Sequence, residues 1–426
     1  MERNLWLQRV VGVSVLFATT SAQALDFDFR SSLSTEYTDN ARRTAEDQIS
    51  ERQDSLALNL SLSEQRTYST VELDYGWSYQ TFSEDSQIER SLLEGDANIL
   101  LGREQGAFQF LINHNRRRSL IDPTEINLTS NMDERDQLTL QPRLNIPLSR
   151  VDLVSLSAQK TNVTYVEDSL RNSERQGGDI RLTHRLSSLD SLSISYSTLD
   201  IEYTEFDNYT YVYNYAAFQY QTQLRALSYD FAIGYNTVEQ NGDEFGGIRY
   251  SLNLAYEWSL FTAGLEASRE ITDNSAGSGN SVSIGGDALA EGGFTGPDQY
   301  LREASAFFFN YSGLCGRCDL DFRISYEKED YRLLTLNNST ELVAQVSLSY
   351  DFSQRTSASL SFNGIDQEFE LNPSGSRDSK LVSARLSRRI NDKFDVFLTL
   401  DQQKEKTANR GTSIENRAGL GLGLRY

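Results

Sequence analysis

The sequence has 426 residues, and its 61 acidic and 40 basic side chains give a formal net charge of −21 at pH 7. It is polar on average, with a mean hydropathy of −0.50, yet it contains 22 Tyr and 21 Phe and only five Pro. So many aromatic residues, which favour strands, are not typical of a disordered chain. The acidic balance disfavours nucleic acid as a partner, because like charges repel the phosphate backbone.

The amino terminus carries the pattern of an export signal. Arg3 and Arg9 precede the apolar run VVGVSVLFA, and Ala22-Gln23-Ala24 provides the small residues of a cleavage site. This predicts a secretory signal peptide over residues 1–24, followed by a single domain over residues 25–426. The apolar run is much shorter than the roughly 20 residues that a membrane-spanning helix needs.

Apolar residues alternate with polar ones throughout the remaining chain. Strict alternation predicts strands with one apolar face, because successive side chains of a strand point to opposite sides. We find no sustained helical spacing of apolar residues. The clearest runs are Leu56 to Leu62, Val71 to Tyr79, Leu138 to Ile146, Ile248 to Trp258, Leu342 to Phe352 and Phe394 to Leu400.

The connections between these runs predict the architecture. Nine short polar turns alternate with longer polar loops, and with both chain ends on the rim of the short turns they predict about 20 strands, with 18 as the alternative. Short turns on one rim and longer loops on the other are typical of an outer-membrane barrel. A soluble sandwich would leave the edges of so long a meander to protect, whereas closure removes them. We therefore predict an all-β, antiparallel, up-and-down transmembrane barrel in the outer membrane of a Gram-negative bacterium.

The carboxy terminus, LGLGLRY, fits the closing strand of such a barrel. Its leucines would face lipid, and Tyr426 would lie at the membrane interface, where an amphipathic ring is favoured. Gly421, Leu424 and Tyr426 also resemble the carboxy-terminal signal by which the barrel-assembly machinery recognises its substrates.

A family resemblance lies near the other end of the chain. The segment SLSTEYTDN at residues 32–40, a polar loop, and DSLALNLSLSEQRTYSTVELDYGWSYQTF at residues 54–82 resemble the opening of the beta-barrel porin 2 group. They resemble especially the outer-membrane proteins associated with exosortase (PEP-CTERM) and exopolysaccharide loci. The motif covers two or three strands, while length and serial hairpins agree over the whole mature chain. The resemblance implies a link to surface polysaccharide or exported protein, and it places no catalytic residue on this sequence.

With the apolar residues facing lipid, the charged residues of the opposite phase are predicted to line the lumen. They could set a transverse electric field across a pore, or they could pair along neighbouring strands and make the wall rigid. The candidate lumen residues are Glu72, Asp74, Glu94, Asp96, Arg143, Arg181, Arg185, Arg249, Glu257, Glu266, Asp321, Arg323, Arg385, Arg389 and Arg425.

Two local features add further expectations. Residues 274–297 hold seven glycines, and the segment could be an external loop or could fold inward and constrict the pore. Cys315 and Cys318 lie in a short turn without a nearby His or a second CxxC, so in an oxidising envelope we expect a local disulfide rather than a redox or metal site.

Catalysis is disfavoured because both histidines, His114 and His184, share the apolar phase of their strands. We predict no catalytic, cofactor or metal site. The predicted function is a porin-like channel associated with the export of exopolysaccharide or surface protein. The alternative is a non-conducting barrel that anchors surface polysaccharide or lipopolysaccharide. Expected partners are outer-membrane lipid and lipopolysaccharide, the barrel-assembly machinery and polysaccharide.

Overall fold

The computed structural model describes residues 25–121, 126, 128–205, 209–240, 242–275, 298–372, 375–407 and 411–426. The predicted signal peptide, residues 1–24, lies outside the described residues. Within the described ranges, no helix is long and apolar enough to cross a membrane.

The described chain forms 20 strands and three single turns of 3₁₀ helix, at Thr129–Asn131, Ser169–Arg171 and Thr335–Asn337. The first ten strands are β1 Asp26–Thr38, β2 Glu51–Arg66, β3 Ser69–Phe82, β4 Arg90–Leu101, β5 Phe108–Leu120, β6 Met132–Pro147, β7 Asp152–Tyr165, β8 Ser173–Arg185, β9 Asp190–Tyr203 and β10 Thr210–Gln223. The others are β11 Leu227–Gln240, β12 Asp243–Glu257, β13 Phe261–Asp273, β14 Gln299–Ser312, β15 Cys318–Tyr331, β16 Ser339–Ser353, β17 Thr356–Phe369, β18 Arg377–Arg389, β19 Phe394–Thr407 and β20 Gly411–Arg425.

Each strand pairs antiparallel with its neighbours in sequence, and β20 pairs with β1 to close the sheet. At the seam Leu33 lies opposite Leu422, and Thr38 lies opposite Arg417. The backbone N–H of Tyr426 donates to the carbonyl of Phe29 at 2.8 Å. The predicted all-β, up-and-down barrel of about 20 strands is confirmed.

The two rims differ in their connections, with two exceptions to the predicted pattern. Nine short turns join β2 to β3, β4 to β5 and so on to β18 and β19, as the sequence indicates. On the other rim, β11 and β12 are separated only by residues 241–242, and β19 and β20 only by residues 408–410. Loop length therefore separates the rims as a trend and not at every connection.

The convex and concave faces follow from the register, because directly paired residues share a face. Leu33, Leu420 and Leu422 lie on the apolar face and are 57%, 60% and 58% exposed. The opposite face is concave, because its side chains contact strands that are not neighbours. Arg323 of β15 lies 2.5 Å from Glu266 of β13, past the intervening β14.

β13 and β14 leave the wall at the rim opposite the nine short turns, which we call the upper rim. The pairing of β12 with β13 ends at Tyr250 and Arg269, whereas β13 and β14 remain paired as far as Asp273 and Gln299. Ile271 then packs against a buried cluster on the concave wall, formed by Ile201, Tyr203, Tyr211, Tyr213 and Val238. This hairpin therefore bends into the mouth of the barrel.

Candidate functional site on the concave wall

The register places every candidate lumen residue on the concave face. Each pairs directly with at least one polar or small residue of that face, as Glu72 does with Ser63 and Asn98. The set on this face is Glu72, Asp74, Glu94, Asp96, Arg143, Arg181, Arg185, Arg249, Glu257, Glu266, Asp321, Arg323, Arg385, Arg389 and Arg425. Whether these residues contact a passing solute stays a prediction.

Several of the candidate residues form ion pairs along the wall. The pairs are Glu266 with Arg323 at 2.5 Å, Arg249 with Glu270 at 2.9 Å and Asp96 with Arg117 at 2.5 Å. Such pairs between near neighbours hold the side chains against the sheet. They lower the local net charge that could otherwise act on a solute.

Other arginines of the set lack a carboxylate partner. Within the described part of the chain, no ion pair involves Arg143, Arg185, Arg385 or Arg389. The guanidinium carbon of Arg385 lies 3.8 Å from the centre of the Phe397 ring, a cation–π contact. These four arginines can still bind an anion or a hydroxyl group that enters the lumen.

Three aromatic rings on the concave face lie over glycines of neighbouring strands. Phe308 covers Gly264, Phe397 covers Gly421 and Tyr215 covers Gly234, and any side chain at these glycines would overlap the ring. The ring replaces the missing side chain and supports the sheet there. The candidate lumen residues named from the sequence are all charged, so these rings were missed. An aromatic residue in the polar phase, opposite a glycine in the next strand, is the signal that could have found them.

A hydrogen-bonded network fills part of the upper mouth. Arg175 of β8 donates to the carboxylate of Asp273 at 2.6 Å, and the hydroxyl of Tyr203 donates to Oδ1 of Asn274 at 2.7 Å. Tyr165 donates to the carbonyl of Ser275 at 2.9 Å, and Ser275 is fully buried. Residues 276–297 of the glycine-rich segment lie outside the described residues. The part of the segment that is described, at Asn274 and Ser275, lies inside the mouth.

Asp298 lies just before β14 and is fully buried. Its carboxylate accepts hydrogen bonds from the backbone N–H groups of Leu333 and Leu334 at 2.9 and 2.8 Å and of Gln299 at 2.8 Å. Burial raises the pKa of Asp298, and the three N–H donors oppose that rise only in part. Asp298 thereby joins the inward-bent hairpin to the connection between β15 and β16.

Both histidines lie on the convex face. Nδ1 of His114 accepts from the hydroxyl of Tyr75 at 2.5 Å, and Nε2 lies 3.0 Å from the carboxylate of Asp136. The proton on Nε2 is assigned from these partners. His184 lies 2.7 Å from Asp152. The two histidines therefore lie on the opposite side of the sheet from the concave wall.

The turn between β14 and β15 is bridged by a disulfide between Cys315 and Cys318, whose Cα atoms are 5.3 Å apart. Across the described ranges, no cluster of three or more His, Cys, Asp or Glu side chains is arranged to hold a metal ion.

Comparisons with known proteins indicate a fold and not a family. No protein-family model matches the sequence, and no curated protein matches it either. Among solved structures, the siderophore receptor PirA from Acinetobacter baumannii aligns with a TM-score of 0.52 and 9% identity, over 96% of this chain and 81% of that one. PirA from Pseudomonas aeruginosa aligns with a TM-score of 0.51 and 12% identity, over 96% and 82%. The outer membrane protein OpdK from Pseudomonas aeruginosa aligns with a TM-score of 0.40 and 10% identity, over 94% of this chain and 99% of that one.

The fold and the distribution of apolar residues agree on location. A closed barrel satisfies every strand edge internally, and its apolar convex band meets lipid without cost. The protein is an outer-membrane β-barrel of a Gram-negative bacterium, and its overall fold is similar to that of the two PirA receptors.

Proposed function

We propose that the protein is a porin-like channel, without enzymatic activity, that passes polar solutes in association with the export of exopolysaccharide or surface protein. The concave wall supports this proposal, because it carries arginines without carboxylate partners beside paired charges. Side chains just fill a barrel of about 8 strands, so a barrel of 20 strands leaves room for water unless a segment plugs it.

The link to export rests on the resemblance of residues 32–40 and 54–82 to barrels associated with exosortase (PEP-CTERM) and exopolysaccharide loci. We expect loss of the gene to lower the amount of exopolysaccharide, or of exosortase-dependent protein, at the cell surface. Unchanged amounts of both at the cell surface would contradict the link to export but not the channel itself.

Planar-bilayer recording tests the channel itself. The reconstituted protein should conduct ions, and an added neutral or acidic glycan should reduce the current. Replacing both Arg385 and Arg389 with Ser should weaken that block, because a guanidinium group donates paired hydrogen bonds to carboxylate and hydroxyl groups. The matched control replaces Lys404 and Lys406 with Ser. It removes the same charge from the convex face and should leave the block unchanged.

The alternative is a non-conducting barrel that anchors surface polysaccharide or lipopolysaccharide. One observation favours it: Asp273, Asn274 and Ser275 are buried inside the mouth and bonded to β7, β8 and β9. The absence of ion current at every voltage, from protein that a heat-modifiability gel shows to be folded, would support this alternative over the channel.

A further inference from the structure

A cavity of about 530 Å³ lies against the concave wall from β13 to β18. Its volume is within the range of small-molecule sites. The register arranges most of its lining in two rows that cross the strands. One row is Phe308, Arg323, Gln345, Asn363 and Leu381, and the other is Asn310, Asp321, Ser347, Ser361 and Ser383.

The rows define an oblique path on the wall. Each row crosses four inter-strand steps of about 4.8 Å, so it extends for about 19 Å. Because strands in a barrel tilt by about 35–45° from its axis, a row perpendicular to the strands rises gradually from one rim toward the other. A linear molecule passing through the lumen could therefore contact a whole row.

Phe308 differs from the other two concave rings that cover glycines. Arg249 lies over the ring of Tyr215, with its guanidinium carbon 4.2 Å from the ring centre, and Arg385 covers Phe397. In the described part of the protein, no cation lies over Phe308, which is only half-buried. Its ring atoms Cζ and Cε1 lie over Gly264, and the residue also borders the cavity.

The charges of the cavity nearly cancel. Arg323 and Glu266 form a pair at 2.5 Å, which leaves Asp321 as the one formally unpaired charge among the described lining residues. A site with a residual negative charge disfavours an anionic ligand. The remaining polar groups, the amides of Asn310, Gln345 and Asn363 and three serine hydroxyls, can each donate and accept hydrogen bonds.

We infer that this cavity is a binding subsite for a neutral saccharide. A sugar ring presents apolar C–H groups on its faces and hydroxyls at its rim. The faces match the exposed ring of Phe308, and the hydroxyls match the amides, serines and ionised groups of the two rows. The inference deepens the proposed function, because it assumes that a glycan enters the lumen. It identifies the glycan chemistry that this wall selects.

Isothermal titration calorimetry on the full-length protein in a sugar-free detergent tests the inference. The probes are the neutral hexasaccharides maltohexaose, cellohexaose and laminarihexaose, with hexagalacturonate as the acidic comparison. We expect at least one neutral probe to bind in a manner that depends on Phe308, and the Phe308-dependent affinity for hexagalacturonate to be at least tenfold weaker. Absence of binding by all three neutral probes, or a Phe308-dependent preference for hexagalacturonate, would overturn the inference.

Matched variants locate the binding. Phe308→Leu keeps an apolar cover on Gly264 but removes the flat ring, and it should weaken binding of the neutral probe by about tenfold. Phe308→Tyr should retain the binding. Tyr215→Leu makes the same change at a ring outside the cavity and should leave affinity unchanged. Equal affinity in the wild type and in Phe308→Leu would contradict the assignment, provided that heat-modifiability gels show both proteins to be folded.

Failure of this inference and failure of the proposed channel give different results. A conducting barrel that binds no neutral hexasaccharide keeps the channel and rejects the subsite. A silent barrel whose binding depends on Phe308 keeps the subsite and rejects the channel.

Discussion

Gly95 shows how a single residue accommodates the contact between an aromatic ring and the sheet. Its φ of +154° is rarely adopted by residues with a side chain, and a Cβ there would overlap the carbonyl of Asp74 and the ring of Tyr75. The hydroxyl of Tyr75 donates a hydrogen bond to His114. A side chain at Gly95 would therefore have to displace the Tyr75 ring or the strand itself.

Gly95→Ala should destabilise the folded barrel by about 1–3 kcal/mol, because the backbone must either strain or move. The measurement is the midpoint of urea unfolding, followed by heat-modifiability on gels. Gly247→Ala is the control, since a Cβ there would meet only Ile271 Cδ1 at 3.9 Å. Equal midpoints for both variants would show that Gly95 is not constrained.

The raised pKa of Asp298 predicts that the stability of the docked β13–β14 hairpin depends on pH. Its pKa is raised in the folded state, so protonation stabilises the docked hairpin. That contribution is complete below the unfolded-state pKa and is lost as the pH rises through the folded-state pKa. Hydrogen exchange at Leu333 and Leu334, corrected for intrinsic rates, should therefore show protection that declines as the pH rises above about 4, the ordinary pKa of an aspartate.

Asp298→Asn provides the comparison for this pH series. Asparagine keeps an uncharged acceptor for the same N–H groups, so protection in the variant should not change with pH through this group. Parallel slopes in the wild type and the variant would assign the pH dependence to other carboxylates.

At the scale of a strand, adjacent residues face different solvents. Leu73 of β3 pairs with Leu62 and Ala97 on the convex face, whereas Glu72 pairs with Ser63 and Asn98 on the concave face. Alternation along one strand thus separates lipid from lumen. A substitution at one position and the same substitution at its neighbour should have different costs.

Leu73→Arg should destabilise the inserted barrel by about 2–4 kcal/mol if Leu73 lies near mid-bilayer, and Glu72→Arg should be tolerated. The readout is the yield of heat-modifiable protein in the outer membrane. Equal loss at both positions would contradict the assignment of faces.

At the scale of the whole molecule, the barrel depends on a seam between its first and last strands. Tyr426 exchanges two backbone hydrogen bonds with Phe29, at 2.8 and 3.1 Å, and the Lys393 ammonium lies 5.4 Å from the centre of its ring. The last residue of the chain is therefore part of the closure.

Deleting Tyr426 should slow assembly, because the deletion removes both bonds to Phe29 and the aromatic end of the proposed assembly signal. Tyr426→Phe retains both features and serves as the control. Pulse-labelled protein would be followed as it becomes heat-modifiable in the outer membrane. A normal rate for the deletion variant would count against the signal.

How much of the candidate site could be predicted depends on the distance along the chain over which its contacts form. The residues of the concave face could be assigned from alternation, since each strand encodes it locally. The aromatic rings on that face could not, because Phe308 and Gly264 come together only when β13 and β14 pair in one register. The mouth network is equally non-local, as Arg175 and Asp273 are 98 residues apart.

The sequence by itself predicted about 20 strands with 18 as the alternative, the nine short turns, and the two faces of the clearest alternating runs, because period-two alternation and turn residues act over a few neighbouring positions. Only the tertiary structure decided that the β13–β14 hairpin bends into the mouth, that Arg323 reaches Glu266 past β14, and that Phe308 borders a cavity. Those outcomes depend on register and on curvature, which bring concave side chains together across strands that are far apart in the chain.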